Sequence, residues 1–260
     1  MKQLTSEVRA VHSLSSQEVR NLFAIFLRCY DAVSLEQFTS DLTAKDDVLL
    51  LRDASGNLQG FSTQVTHRYE IEGRTVRVLF SGDTIISPEC WGTQELVRAW
   101  CRYAGAVKAA QPGDSLYWLL LSKGHRTYLY LPLFFLEYHP HVRGDATALH
   151  VLKDAIASRM FGEDYKSKTG RLEFSSSKGH LREPLAEVPS GRDRNEHIAF
   201  FLQRNPGYVE GHELVCLAEI SPENMRGSAR RHLEEGMQSR GITTESPAQH
   251  TWLPDGAALC

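Results

Sequence analysis

Cysteine is scarce and scattered in this chain. Its five thiols (Cys29, Cys90, Cys101, Cys216 and Cys260) are odd in number and form no Cys-x-x-Cys pair. Both a zinc site and a disulfide framework are disfavoured, and a reducing cytoplasm is the expected compartment. No apolar run reaches the roughly 18–20 residues that cross a bilayer. The opening MKQLTSEVRAVHS lacks the apolar centre of a secretory signal. Excess charge is also missing: the net charge is −3, which gives no general attraction to nucleic acid or to a membrane surface. Neither is expected as a partner, and any basic site must be local. No internal repeat is present. His139-Pro140-His141 has only Glu137 nearby, a weak ligand set. No metal is expected, and the segment reads as a surface loop.

What is present is an ordinary globular composition, 42% hydrophobic and 23% charged over 260 residues. That length allows one large domain, or a domain of about 150 residues with a second piece. Ser15-Ser16-Gln17-Glu18 has capping-box spacing, and Val19, Leu22, Phe23, Phe26, Leu27 and Tyr30 recur at helical spacing, so a helix is predicted over 16–30. A second, capped by Ser34 and Gln37, is predicted over 35–43. The period then changes. Val48–Arg52, Leu58–Ile71 and Thr75–Ile86 read as strands joined by the turns Asp53–Asn57 and Glu72–Arg74, hence antiparallel neighbours. A helix follows over 93–108, with Leu96, Val97, Trp100, Tyr103, Ala104 and Val107 on its apolar face. The near-continuous apolar run Ser115–Ser122 reads as a strand buried on both faces, parallel to Thr75–Ile86 because a helix separates them.

Thr127–Tyr138 is apolar enough to be helix or strand. A helix is predicted over 147–161, stopped by Gly162. Residues 163–193 read as an exposed polar loop, His197–Gln203 as a short helix and Glu213–Ile220 as a strand. The division expected is a core over 1–145 and a C-terminal extension over 146–260 that packs on it, with a flexible tail after about 221.

The stretch Thr75–Ala106 organises this succession. Strand Thr75–Ile86 breaks at Ser87-Pro88, passes Trp91-Gly92 and enters a helix. Free N–H groups at a helix start, backed by its dipole, suit phosphate or another anion. Gly82 inside the strand marks an expected bulge. A bulge there would part the strand from its parallel neighbour and leave the backbone of Asp83–Ile86 open to the amides of a pantetheine arm, as an added strand.

This order of elements resembles the GCN5-related N-acetyltransferase (GNAT) superfamily over roughly residues 15–140. The later segments SKGHRTYLYL, FFLQRNP and ELVCLA resemble uncharacterised bacterial proteins of the same fold. The resemblance implies a mixed α/β sheet of the acyl-CoA N-acyltransferase type. It also implies a donor thioester, with acyl-CoA or an acyl carrier protein's phosphopantetheine as co-substrate. No covalently held cofactor is expected. Thr84, Ile85, Ile86, Trp91, Gly92, Thr93, Gln94 and Ser122 are the candidate donor-binding residues. The family's phosphate loop, (Gln/Arg)-x-x-Gly-x-(Gly/Ala), is matched only in part by Glu89-Cys90-Trp91-Gly92-Thr93-Gln94. An acid replaces the usual polar or cationic residue, and Gln94 replaces a small one. A carrier protein presenting pantetheine without the nucleotide is therefore an alternative donor, and Arg98 and Arg102 are candidate sources of positive charge.

Acyl transfer from a thioester to an amine needs a neutral amine, a polarised carbonyl and a proton for the leaving thiolate. Asp83 is the candidate proton relay or anchor for a cationic acceptor, against a plain structural ion pair. The N–H of Ile85 or Ile86 is the candidate oxyanion donor. Tyr128, Tyr130 and Tyr138 follow the strand that flanks the donor; Tyr138 and Tyr128 are chosen as thiolate acids, although tyrosine is also an ordinary core-edge residue. Cys90, near a helix start where thiols become nucleophilic, is a weaker candidate. The resulting expectation is transfer of an acyl group to a small-molecule amine by direct attack, in a monomer or homodimer. The alternative is a non-catalytic binding module that keeps the fold.

Overall fold

The computed structural model describes residues 3–144, 147–174 and 179–239. Its centre is a mixed eight-stranded sheet, flanked by helices on both faces. In chain order the strands are β1 (Leu4–Ala10), β2 (Tyr30–Asp31), β3 (Asp47–Asp53), β4 (Leu58–Ile71), β5 (Arg74–Ile86), β6 (Ser115–Ser122), β7 (Tyr165–Lys166), β8 (Arg171–Leu172), β9 (His180–Leu181) and β10 (Glu213–Glu219). The helices are α1 (Ser16–Phe26), α2 (Leu35–Thr43), α3 (Glu95–Ala110), α4 (His125–Tyr128), α5 (Tyr130–Phe134), α6 (Thr147–Phe161), α7 (Glu183–Ala186), α8 (Glu196–Arg204) and α9 (Gly227–Gln238). The sheet runs β1-β3-β4-β5-β6-β10-β8-β7, while β2 pairs with β9 in a separate ribbon. β3, β4 and β5 are antiparallel neighbours, and β5 and β6 are parallel, as the turn lengths and the α3 crossover require.

The predicted capping box of α1 is complete: Glu18 N–H donates to Ser15 Oγ, and the Glu18 carboxylate accepts from Ser15 N–H. Ser34 Oγ likewise accepts from Gln37 N–H at the start of α2. Apolar residues of α1 and α2 (Leu22, Phe26, Phe38) pack with Val48, Leu50, Phe61 and Ile85 on one face of the sheet. α6 covers the same face further along, over Val65, Val78 and Phe80. The opposite face carries α3 to α5, α8 and α9, through Trp100, Tyr128, Phe134, Phe201 and Leu233.

Several boundaries differ from the sequence reading. α1 stops at Phe26 rather than 30, because Tyr30 turns extended to pair with Leu181. β1 was hidden by its polarity; only Leu4 of its seven residues is buried, as befits an edge strand. Segment 163–193 contributes β7 to β9 and α7 rather than loop alone. The expected boundary at 145 does not break the sheet, since β10 pairs with β6 along six residues. Nor is the chain irregular just after 221: α9 forms and crosses α3 at close range. A Cβ on Gly105 would stand 2.1 Å from Leu233 O, and one on Gly236 2.0 Å from Arg102 O. His139 is no surface residue either. It is fully buried, exchanges backbone hydrogen bonds with Leu217, and stacks its ring on His150. Among the described residues no cluster of three or more metal-binding side chains occurs.

Candidate functional site

The site begins where two strands part. β5 and β6 face each other from Val76–Ser115 to Ser81–Leu120, and no further pairs follow, although β5 continues to Ile86 and β6 to Ser122. The other edge of β5 explains the parting. Ser62 lies opposite Thr84, and Gln64 opposite Ser81, so Thr63 faces both Gly82 and Asp83. That two-to-one count is a bulge, at the glycine where one was expected. A Cβ on Gly82 would come within 2.6 Å of Thr63 Oγ1 and 2.8 Å of Lys45 Cε.

Beyond the bulge, Ser87 N–H donates to Gln59 O across the β4 edge. Antiparallel ladders alternate, so Ile85 also directs its backbone toward β4, while Thr84 and Ile86 direct theirs into the gap. Ile86 O confirms the direction by accepting the Trp91 indole N–H at 3.0 Å. Of the two backbone donors proposed from sequence, Ile86 faces the open edge and Ile85 does not. A buried chain of hydrogen bonds spans the parting. The indoles of Trp100 and Trp118 both donate to Ser81 Oγ, at 3.1 and 2.9 Å. Ser81 donates to Gln64 Oε1, Gln64 Nε2 to Ser62 Oγ, and the Ser62 and Thr84 hydroxyls meet at 2.7 Å.

Hollows on opposite faces of the sheet meet at this gap. Under α1 and α2 lies a cavity of about 500 Å³, lined by Asp83, Lys45, Lys123, Glu213 and the rings of Tyr30 and Phe38 among others. Between α3 and α5 lies a cleft of only about 30 Å³, lined by Leu96, Trp100, Trp118, Tyr130 and Phe134. Ser81, Thr84, Leu120 and Thr127 line both.

Asp83 faces the larger cavity. Burial pushes its carboxyl up to about 6; the positive charges of Lys45 and Lys123 act against that shift, and Asp41 and Glu213 add to it. Lys123 Nζ pairs with Glu213 Oε1 at 3.0 Å, and Lys45 Nζ donates to Asp41 O at 3.0 Å. The Tyr30 phenol is held above its ordinary range by burial, reinforced by Asp83 and Glu213. Sequence reasoning missed Lys45, Lys123 and Glu213. Lys123 and Glu213 carried a signal of position, at the ends of apolar strands where a charge reaches the rim of a buried sheet, whereas Lys45 lies in the connection between α2 and β3.

The loop before α3 combines features for and against an anion. Gly92 adopts φ +85°, the α3 start at Gln94 lacks a side-chain cap, and Thr93 Oγ1 accepts from Glu95 N–H. The glycine turn and the uncapped start suit a phosphate. The Thr93 contact, which takes up one helix-start N–H, and the acids Glu89 and Glu95 do not. Glu89 forms an ion pair with Arg28, whose guanidinium also donates to Ser87 Oγ. Trp91 lies under the Arg126 guanidinium, 4.7 Å from it. The expected cations are engaged: Arg98 sits 3.8 Å from Glu95, and Arg102 2.9 Å from Glu235.

Three chosen side chains lie away from both hollows. Tyr128 is fully buried and donates to Pro140 O. Tyr138 packs edge-on against it, its phenol pushed up to about 12 by burial. The helix break between α4 and α5 leaves Tyr128 buried and Tyr130 in the narrow cleft. Ser122 Oγ donates to Gly124 O and closes the strand end. Cys90 is buried with its thiol 3.7 Å from Gln59 Oε1. Cys260 lies outside the described residues.

The chain matches no known protein-family model and no curated protein. Solved structures do resemble it. A probable N-acyltransferase from Enterococcus faecalis is 14% identical with a TM-score of 0.39, over 52% of this chain and 33% of that one. A GNAT family N-acetyltransferase from Escherichia coli, solved with CoA, is 13% identical with a TM-score of 0.33, over 47% of this chain and 66% of that one. A GCN5-related N-acetyltransferase from Kribbella flavida is 12% identical with a TM-score of 0.34, over 52% of this chain and 34% of that one. The chain thus spans about a third to two thirds of the length of these structures.

Proposed function

We propose that this protein transfers an acyl group from a pantetheine thioester to the amine of a small molecule. The observation that carries the reading is the meeting of two hollows, from opposite faces of the sheet, at the gap beyond Ser81 and Leu120. A donor and an acceptor entering from opposite faces would bring thioester and amine together beside Asp83 and Thr84, which suits direct attack in a ternary complex. The exposed backbone of Thr84 and Ile86 offers a pantetheine arm the hydrogen bonds that β6 no longer supplies.

In this reading the amine enters the larger cavity as an ammonium. The low dielectric favours its neutral form, and Asp83 accepts the proton. The nitrogen attacks the thioester carbonyl, and a backbone N–H on the open edge holds the oxyanion. The carbon–sulfur bond breaks, and the leaving thiolate takes a proton from Tyr130, the tyrosine lining the cleft; the new amide nitrogen gives up its second proton, which restores the Tyr130 phenol, and Asp83 returns the first to solvent. Acyl-CoA is the simpler donor. A carrier protein's phosphopantetheine fits the acidic loop better, since it brings no nucleotide to Glu89.

A second reading, a binding module without turnover, is favoured by the Trp91 indole on Ile86 O, which occupies part of the edge a donor needs. Thermal-shift titration with acetyl-CoA, a long-chain acyl-CoA and a short pantetheine thioester tests both. Ligand at about 100 times its Kd adds roughly 2.7 kcal/mol, or a few degrees in Tm for a chain of this size. Shifts with the CoA esters identify CoA as donor. A shift with the pantetheine compound alone identifies a carrier protein. Shifts without turnover of any amine support the binding module, and no shift at all rejects the donor site.

A further inference from the structure

The larger cavity carries a charge balance and a wall chemistry that select its ligand. Three carboxylates line it (Asp41, Asp83 and Glu213) against two ammonium groups (Lys45 and Lys123). Glu213 compensates Lys123 at 3.0 Å. The Gln37 amide sits 3.2 Å from both oxygens of Asp41, and Lys45 reaches the Asp41 carbonyl. With all five ionised, the cavity holds one negative charge in excess. Four aromatic rings also line it, beside aliphatic and hydroxyl side chains such as Val33, Leu121, Thr84 and Thr127. Phe26 and Tyr30 stack at 4.7 Å and 14°, Phe38 tilts against Phe26 at 5.2 Å, and Phe80 rises from β5.

We propose that the acceptor is an arylalkylamine: a monocationic primary amine with a flat aromatic body and no carboxylate. The inference rests on the amine-acceptor reading of this cavity and names the class of amine. One ammonium neutralises the excess charge beside Asp83, and in a desolvated cavity that pairing is worth far more than in water. The aromatic body packs among the rings, whose faces also attract a cation. An amino acid returns a negative charge to a site whose lysines already have partners. A polyamine places a second cation near Lys45 and Lys123. The volume of about 500 Å³ suits a small aromatic molecule, within the range of roughly 300–1,000 Å³ usual for ligand pockets.

The test is calorimetric titration of the full chain, without donor, at about pH 7.5 with 2-phenylethylamine, L-phenylalanine and spermidine. Saturable binding of 2-phenylethylamine is expected, with L-phenylalanine weaker by about ten-fold or more, as loss of a charge-assisted contact costs. Spermidine should give no saturable binding. Asp83→Asn should weaken 2-phenylethylamine by about ten-fold. Glu213→Gln removes the excess charge and should raise the affinity for L-phenylalanine relative to 2-phenylethylamine. Tighter binding of L-phenylalanine or spermidine to the wild-type chain overturns the proposal, as does a failure of every amine. A parallel thermal shift with acetyl-CoA separates the two ideas. A donor shift without amine binding overturns only the acceptor class, whereas amine binding with no response to any thioester upholds the acceptor class and rejects acyl transfer.

Discussion

Ser81 and Leu120 are the last residues at which β5 and β6 lie opposite each other. Ser81 takes both tryptophan indoles, from Trp100 on α3 and Trp118 on β6, and passes the hydrogen bond to Gln64 on β4. One serine thus ties together the helix and the three strands that border the gap. Past it, the bulge at Gly82 and Asp83 turns β5 away, so the gap is built by backbone geometry rather than by missing residues.

Gly82→Val should remove the gap's geometry. Its Cβ would meet Thr63 Oγ1 at 2.6 Å and Lys45 Cε at 2.8 Å, and the branched side chain adds further crowding. Overpacking of this kind costs about 1–3 kcal/mol. The folded variant should bind neither a pantetheine thioester nor an amine. Thermal melts and titration check this together; undiminished affinity in a folded variant removes the bulge from the site.

Asp83→Asn should stabilise the fold and stop turnover. Its folded-state carboxyl titrates at about 6, above the unfolded value of 3.8. A raised carboxyl favours the fold below the unfolded value, and that contribution is lost as pH climbs through 6. At neutral pH the ionised Asp83 therefore opposes folding, by up to about 3 kcal/mol and by less where the cavity admits water. The neutral amide escapes that cost. Melts between pH 3 and pH 8 should show the variant's advantage absent at the acid end, growing as pH rises from about 4 to about 6 and constant above that. A wild-type pH–rate profile should fall on the acid side with an apparent pKa near 6. An advantage of equal size at pH 3 and pH 8 would point to packing instead.

The sheet could be read from the chain because its signals are local. Turn residues at Asp53–Asn57 and Glu72–Arg74 set the antiparallel pairs, and the apolar run Ser115–Ser122 could only be a buried strand. Gly82 was legible for the same reason, since a glycine inside a strand has few other uses. The cavity charges were not legible. Lys45, Lys123 and Glu213 stand far apart in sequence, and only the pairing of β6 with β10 brings Glu213 beside Lys123. Which tyrosine lines a hollow depended on helix phase. α4 ends and α5 begins around Leu129, so the inward face passes from Tyr128 to Leu131 and Phe134 and skips Tyr130.

That phase yields a contrast. Tyr130→Phe should slow turnover while leaving donor affinity unchanged, because the lost hydroxyl serves the leaving thiolate. Tyr138→Phe should leave turnover unchanged. Tyr128→Phe removes the hydrogen bond to Pro140 O and should cost about 1 kcal/mol of stability with normal kinetics. Steady-state rates of the three variants decide the matter, and a slow Tyr138→Phe restores the residue first chosen from sequence.

The loop before α3 offers a gain-of-affinity test. Trp91 is 42% exposed, yet its indole occupies Ile86 O on the open edge. Glu89 places a negative charge near the α3 start while pairing with Arg28. Glu89→Gln frees that guanidinium and removes the repulsion. An exposed charge at a helix start changes binding by about 0.3–1 kcal/mol, so affinity for acetyl-CoA should rise about two- to five-fold, with little change for a pantetheine thioester that carries no phosphate. Trp91→Phe keeps the ring beside Arg126 but drops the indole N–H, and should raise affinity for both compounds by clearing Ile86 O. Equal responses of the two thioesters to Glu89→Gln would mean that the loop does not face the phosphates. The donor's nucleotide would then play no part in recognition, and the carrier-protein reading would gain at the expense of free CoA.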